Sequence, residues 1–99
     1  MPMPMVFRNF AGAFHQDVVE FHGTFEAAVD AVVDEVPVGD CRELADFIDT
    51  LLTSGPDVCE RVWEESPTSV LFSHAEGLML MLADCRDRLR ARADRGPRP

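Results

Sequence analysis

Apolar residues recur along this chain at intervals of three and four, the spacing that places them on one face of a helix. Phe7, Phe10, Ala11 and Phe14 fall at i, i+3, i+4 and i+7 and predict a short first helix with an aromatic face, weakened by Gly12. His15 to Gly23 reads as a connecting segment with room for one helical turn. Thr24 is a good N-cap for a second helix, in which Phe25, Ala28, Val29, Val32, Val33 and Val36 keep helical spacing. Several of these are β-branched, which lowers intrinsic helix propensity, so packing has to hold the helix. Pro37 restricts Val36 and stops it.

A third helix is expected after Gly39, capped by Asp40 with Glu43 completing a capping-box-like pair. Leu44, Ala45, Ile48, Leu51 and Leu52 face inward, Arg42 is placed to pair with Asp46, and Gly55-Pro56 ends the helix. A fourth runs from about Asp57 to Glu65 with Val58, Cys59, Val62 and Trp63 inward, and Ser66-Pro67 closes it. Val70-Leu71-Phe72 suits either a brief extended piece or a helical turn. The last helix reaches about Ala93 on a stripe of Leu78, Met81, Leu82, Cys85 and Leu89, with Asp84 and Arg88 as an i, i+4 pair. A Ser73–Glu76 capping box favours an early start, whereas Gly77 favours Leu78. Met79 and Leu80 lie off the stripe, either filling a broad core face or forming a patch for dimerisation. No internal repeat is evident. The expectation is all-α: a compact bundle of four to five helices in a single domain spanning 1–99, with 1–4 and 95–99 disordered.

Charge adds a partner class. There are 18 acidic residues against 9 basic ones, all arginine. Residues 1–85 carry 16 acids and 3 arginines, a net of −13, while 86–99 carry a net of +4. An acidic body disfavours nucleic acid, whose phosphates need positive charge, and favours a basic protein. The alternative is charge that serves solubility alone. Cys41, Cys59 and Cys85 are odd in number, widely spaced and on apolar helix sides, so three buried thiols in a reducing cytoplasm are expected. No secretory signal is visible, and the longest apolar run, Leu78 to Ala83, is too short to span a bilayer. The chain is read as cytoplasmic, bound to neither membrane nor nucleic acid.

The chemistry-bearing cluster is Phe14-His15-Gln16-Asp17, followed by Glu20 and His22. Asp17 either braces the turn while His15 bonds a backbone carbonyl, or the pair touches a partner; His15, His22, Asp17 and Glu20 as metal ligands match no zinc spacing. Neither a nucleophile–base motif nor a glycine-rich phosphate loop is present, and no pair of carboxylates stands out. A non-enzyme without metal or other cofactor is expected.

Four stretches, in order, carry a family resemblance: Phe10-Ala11-Gly12-Ala13-Phe14-His15-Gln16-Asp17, Thr24 to Val29, Ile48 to Gly55, and His74 to Leu78. Together they resemble the bacterial contact-dependent growth inhibition immunity proteins, in the small family with an aromatic-Phe-His-Gln-Asp signature. Ala13 stands where the family usually has tyrosine, and Met79-Leu80-Met81 where a tryptophan is common. The resemblance implies a small, acidic, helical, non-catalytic protein that binds and neutralises a toxin domain delivered by a neighbouring cell, often a nuclease. On that reading Glu26, Asp30, Asp34 and Glu35 of the second helix and Glu43, Asp46 and Asp49 of the third form one negative face. That face occupies the positive cleft of the toxin. The free protein is expected to be a monomer. The competing expectation is a non-catalytic helical adaptor or regulatory domain for another basic protein.

Overall fold

The computed structural model describes residues 2–15 and 17–95, with the side chain of Val19 excepted. The expected disorder at residue 1 and at 96–99 lies outside them. The described chain is all-α, with six helices and no strand: α1 (Met5–Gly12), α2 (Val18–His22), α3 (Phe25–Glu35), α4 (Val38–Ser54), α5 (Pro56–Glu65) and α6 (Ala75–Arg95). The helix beyond the expected four to five is α2, a five-residue element inside the connecting segment. Of the opening residues expected to be disordered, Met3 packs against the core, and the Pro4 carbonyl accepts the Phe7 N–H at 3.1 Å. Arg95, also expected in the frayed end, closes α6.

The helix boundaries follow local chemistry. Thr24 caps α3 as expected, its hydroxyl accepting the Ala27 N–H at 3.1 Å. Helix α4 begins two residues before Asp40, which is therefore not its cap. The Pro37 carbonyl accepts the Asp40 N–H at 2.8 Å and closes the first turn from the backbone. Asp40 sits within that turn, where a carboxylate still suits the positive end of the helix dipole. Between α4 and α5 there is only Gly55, at φ 105° and ψ 169°, a conformation open to glycine and strained for any other residue. Pro56 then opens α5 at the position where its missing N–H costs nothing. Helix α6 begins at Ala75, with the His74 carbonyl accepting the Leu78 N–H at 3.4 Å, and runs through Gly77.

The core has two parts. One is aliphatic, formed where the Leu44, Ala45, Ile48 and Leu51 face of α4 meets the Leu78, Leu82, Cys85 and Leu89 stripe of α6. The other is aromatic, centred on Trp63, whose ring packs with Phe7, Phe10, Phe14 and Phe72 at centroid separations of 5.5–6.4 Å. Its indole N–H donates to the Val70 carbonyl at 2.7 Å, satisfying the one polar atom of the ring. Residues 68–73 are irregular rather than helical or extended, and they are tied down. The Phe14 carbonyl, past the end of α1, accepts both the Ser69 N–H (2.9 Å) and the Thr68 hydroxyl (3.2 Å). Met79 packs against the core, whereas Leu80 is 68% exposed, so the two residues divide between the alternatives raised by the sequence.

Candidate functional site

The arginines of α6 sort the acidic residues into two groups. Successive even positions of a helix alternate between flanks, and i, i+4 partners share one. Arg88 and Arg92 accordingly reach α3, while Arg86 and Arg90 reach α4. Arg88 pairs with Asp30 and, at 3.0 Å, with Asp84. Arg86 pairs with Asp49 at 2.8 Å, and Arg90 lies 3.6 Å from Asp46 and 3.9 Å from Asp49. Arg92 makes no ion pair with a described residue. It donates to the carbonyls of Val33 (2.5 Å) and Val36 (2.6 Å) at the end of α3. The Val33 carbonyl would ordinarily accept from residue 37, but that residue is proline and has no N–H; Arg92 supplies the missing donor.

This arrangement changes the expected negative face. Asp30, Asp46 and Asp49 are held by arginines, and the α6 arginine row lies between the acids of α3 and those of α4. Arg42 pairs with Asp94 at 3.5 Å rather than with the expected Asp46. Glu26, Asp34, Glu35 and Glu43 are exposed and pair with no described residue, as do Asp17 and Asp40. The signal for the pairing was in the sequence: arginines at 86, 88, 90 and 92 form two i, i+4 sets straddling the apolar stripe of α6. Their proximity to the helix C-terminus suggests a dipole role and hides the tertiary one.

The signature residues separate by function. Phe14 is fully buried, at 5.5 Å from Trp63 and 5.3 Å from Phe10 by ring centroid. His15 and Asp17 are exposed, and it is their backbone carbonyls that build α2, accepting from Val18 (3.0 Å) and Phe21 (2.9 Å). Neither side chain bonds another described residue, so the expected brace is made by the main chain. Gln16 lies outside the described residues.

These two side chains border a groove between α1, α2 and α3, closed at one end by Asp40 in the first turn of α4. It consists of adjoining recesses of about 180 and 420 Å³ that share Ala13, Val32 and Glu35. The floor is apolar (Val18, Val32, Ala13 and Ala31), and the rim carries Asp17, Glu35 and Asp40; no arginine among the described residues lines it. Phe21 stands at its edge, 83% exposed, with the His22 ring against it at 4.9 Å. Sequence spacing did not single out Phe21, because Gly23 at φ 87° breaks the helical phase between α2 and α3.

The three cysteines are free thiols buried in the core. Cys41 donates to the Pro37 carbonyl at 3.5 Å and Cys59 to the Leu51 carbonyl at 3.1 Å. Burial raises all three thiol pKa values, that of Cys85 to about 12, with the charge of Asp84 adding to the effect. Among the described residues no three His, Cys, Asp or Glu side chains converge to hold a metal ion, and no helix is long and apolar enough to cross a membrane. No family model matches the chain, and neither a curated protein nor a solved structure is detectably similar to it.

Proposed function

We propose that this protein is a binding inhibitor of a basic partner, acting as the immunity protein of a contact-dependent growth inhibition toxin domain. One observation carries the reading. Asp17, Glu35 and Asp40, beside the groove that α1, α2 and α3 frame, have no basic partner among the described residues, whereas α6 directs its arginines at Asp30, Asp46 and Asp49. A surface left this negative attracts a cationic protein and repels nucleic acid, which is what an inhibitor that competes with a phosphate-bearing substrate requires. The ordered resemblance of Phe10 to Asp17 and of the helices after it to the immunity family supplies the class of partner.

Occlusion needs no chemistry from the inhibitor. It needs a rigid scaffold, which the Trp63 cluster and the α6 ion pairs provide, and an exposed face with charge opposite to the toxin cleft. The test is growth rescue: co-express the chain with the toxin domain encoded immediately upstream of its gene and follow viable counts. Rescue, with association slowing as salt rises, is the expected result. Death of the cells with both chains soluble would remove the immunity reading and leave a helical adaptor for some other basic protein.

A further inference from the structure

We infer that the contact surface is the groove between α1, α2 and α3, and that its occupant is a basic amphipathic segment of the protein partner. This rests on the reading of the chain as a binder of a basic protein, and of the expected acidic face it keeps only Glu35. Three observations converge. The groove has an apolar floor at Ala13, Ala31 and Val32. Its rim carboxylates, Asp17, Glu35 and Asp40, pair with no described arginine. At its edge stands Phe21, a large apolar ring 83% exposed on a short helix anchored beneath by buried Val18.

Each part of the groove selects one feature of the occupant. The floor takes aliphatic side chains at helical spacing, and the rim takes arginine or lysine heads flanking them. The exposed face of Phe21 accepts a guanidinium or an aliphatic stem, and a well-packed aromatic is the kind of residue on which binding energy concentrates. The molecule has a second apolar recess, between Phe25, Phe72 and Leu80, but there Arg88 stands beside Glu26 and Asp84, so a cationic occupant meets a like charge and less excess acid than the three carboxylates of the first groove offer. Charge complementarity therefore chooses the first groove.

The test uses the full ¹⁵N-labelled chain and three synthetic peptides: leucine and arginine at helical spacing, leucine and glutamate at the same spacing, and arginine alone. Expected shift perturbations by the leucine–arginine peptide concentrate on Ala13, Val18, Phe21, Ala31 and Glu35, with little effect from the other two. Phe21→Ala and Glu35→Arg should each weaken that binding about tenfold or more, while Glu64→Arg on α5 leaves it within about twofold. Perturbations spread over the α5 acids or centred on Leu80 would overturn the assignment, as would equal binding of arginine alone. Phe21 is exposed, so its loss leaves folding intact, checked by Trp63 fluorescence. The two readings fail separately. Rescue that persists in the Phe21→Ala, Glu35→Arg double variant removes the groove but keeps the inhibitor. A groove that binds the peptide in a chain that rescues nothing removes the toxin but keeps the binding mode.

Discussion

Replacing Arg92 by methionine isolates the most consequential polar contact in the bundle. The methionine keeps the apolar stem in place and removes only the guanidinium. Two carbonyls then lose a charged donor: Val33, which retains the Val36 N–H at 3.2 Å, and Val36, for which Arg92 is the donor the structure shows. A hydrogen bond to a charged group contributes about 1.5–3 kcal/mol, and partial solvent access lets water replace some of it. The expected loss is therefore ~2–3 kcal/mol in total, a large share of the 5–15 kcal/mol typical of a domain. Urea unfolding followed by Trp63 fluorescence should show a midpoint lower by roughly 2 M. Arg90→Met is the control. Its contacts to Asp46 and Asp49 are 3.6–3.9 Å long and largely exposed, so its loss should cost under about 0.5 kcal/mol. Equal midpoints for Arg92→Met and the parent chain would refute the capping argument, as would equal damage from Arg90→Met.

Other outcomes follow from the same contacts. Gly55→Ala meets no atom within 4 Å, so its cost is backbone strain alone; a loss of about 1–3 kcal/mol is expected, and an unchanged melting temperature would contradict it. Trp63→Phe removes the indole donor to the Val70 carbonyl, which keeps only the Thr68 hydroxyl at 3.4 Å, and leaves a void among four phenylalanines; it should cost about 2–4 kcal/mol by circular-dichroism melting. The Cys85 thiol, raised from 9.0 to about 12, binds its proton more tightly when folded than when unfolded. Stability should hold below pH 9 and fall as pH rises from 9 towards 12, by up to ~1.4 kcal/mol per pH unit for this thiol; a flat urea midpoint over that range would count against it. Native thiols should likewise resist a thiol reagent at pH 8 until the chain is unfolded.

Helix existence and facing were legible because burial follows the 3.6-residue period. Ala28, Val29, Val32 and Val33 of α3, and Leu78, Met81, Leu82, Cys85 and Leu89 of α6, are buried as their spacing predicts. Helix α4 starts earlier than the sequence predicts because a backbone carbonyl, at Pro37, closes a turn that the sequence assigns to the Asp40 side chain. The acidic stripes illustrate a deeper limit. Spacing tells which side chains share a face of one helix; it is silent on which other helix lies opposite. Asp30, Asp46 and Asp49 have the pattern of a free surface, and only the placement of α6 shows them engaged. Phe21 lies in the stretch that the sequence reads only as a connecting segment, so its facing is not legible there. The two-residue break after α2, with Gly23 at φ 87°, turns it outward.

The bond between the Thr68 hydroxyl and the Phe14 carbonyl spans 54 residues, and Trp63 and Phe72 close the same cluster from the far side of the chain. On a ribosome adding ~5–20 residues per second, Phe7, Phe10 and Phe14 emerge about 3–11 s before the partners that bury them. The first helix thus begins life as an exposed aromatic strip, and its C-terminal end is pinned only when the α5–α6 loop supplies Thr68 and Ser69 to the Phe14 carbonyl.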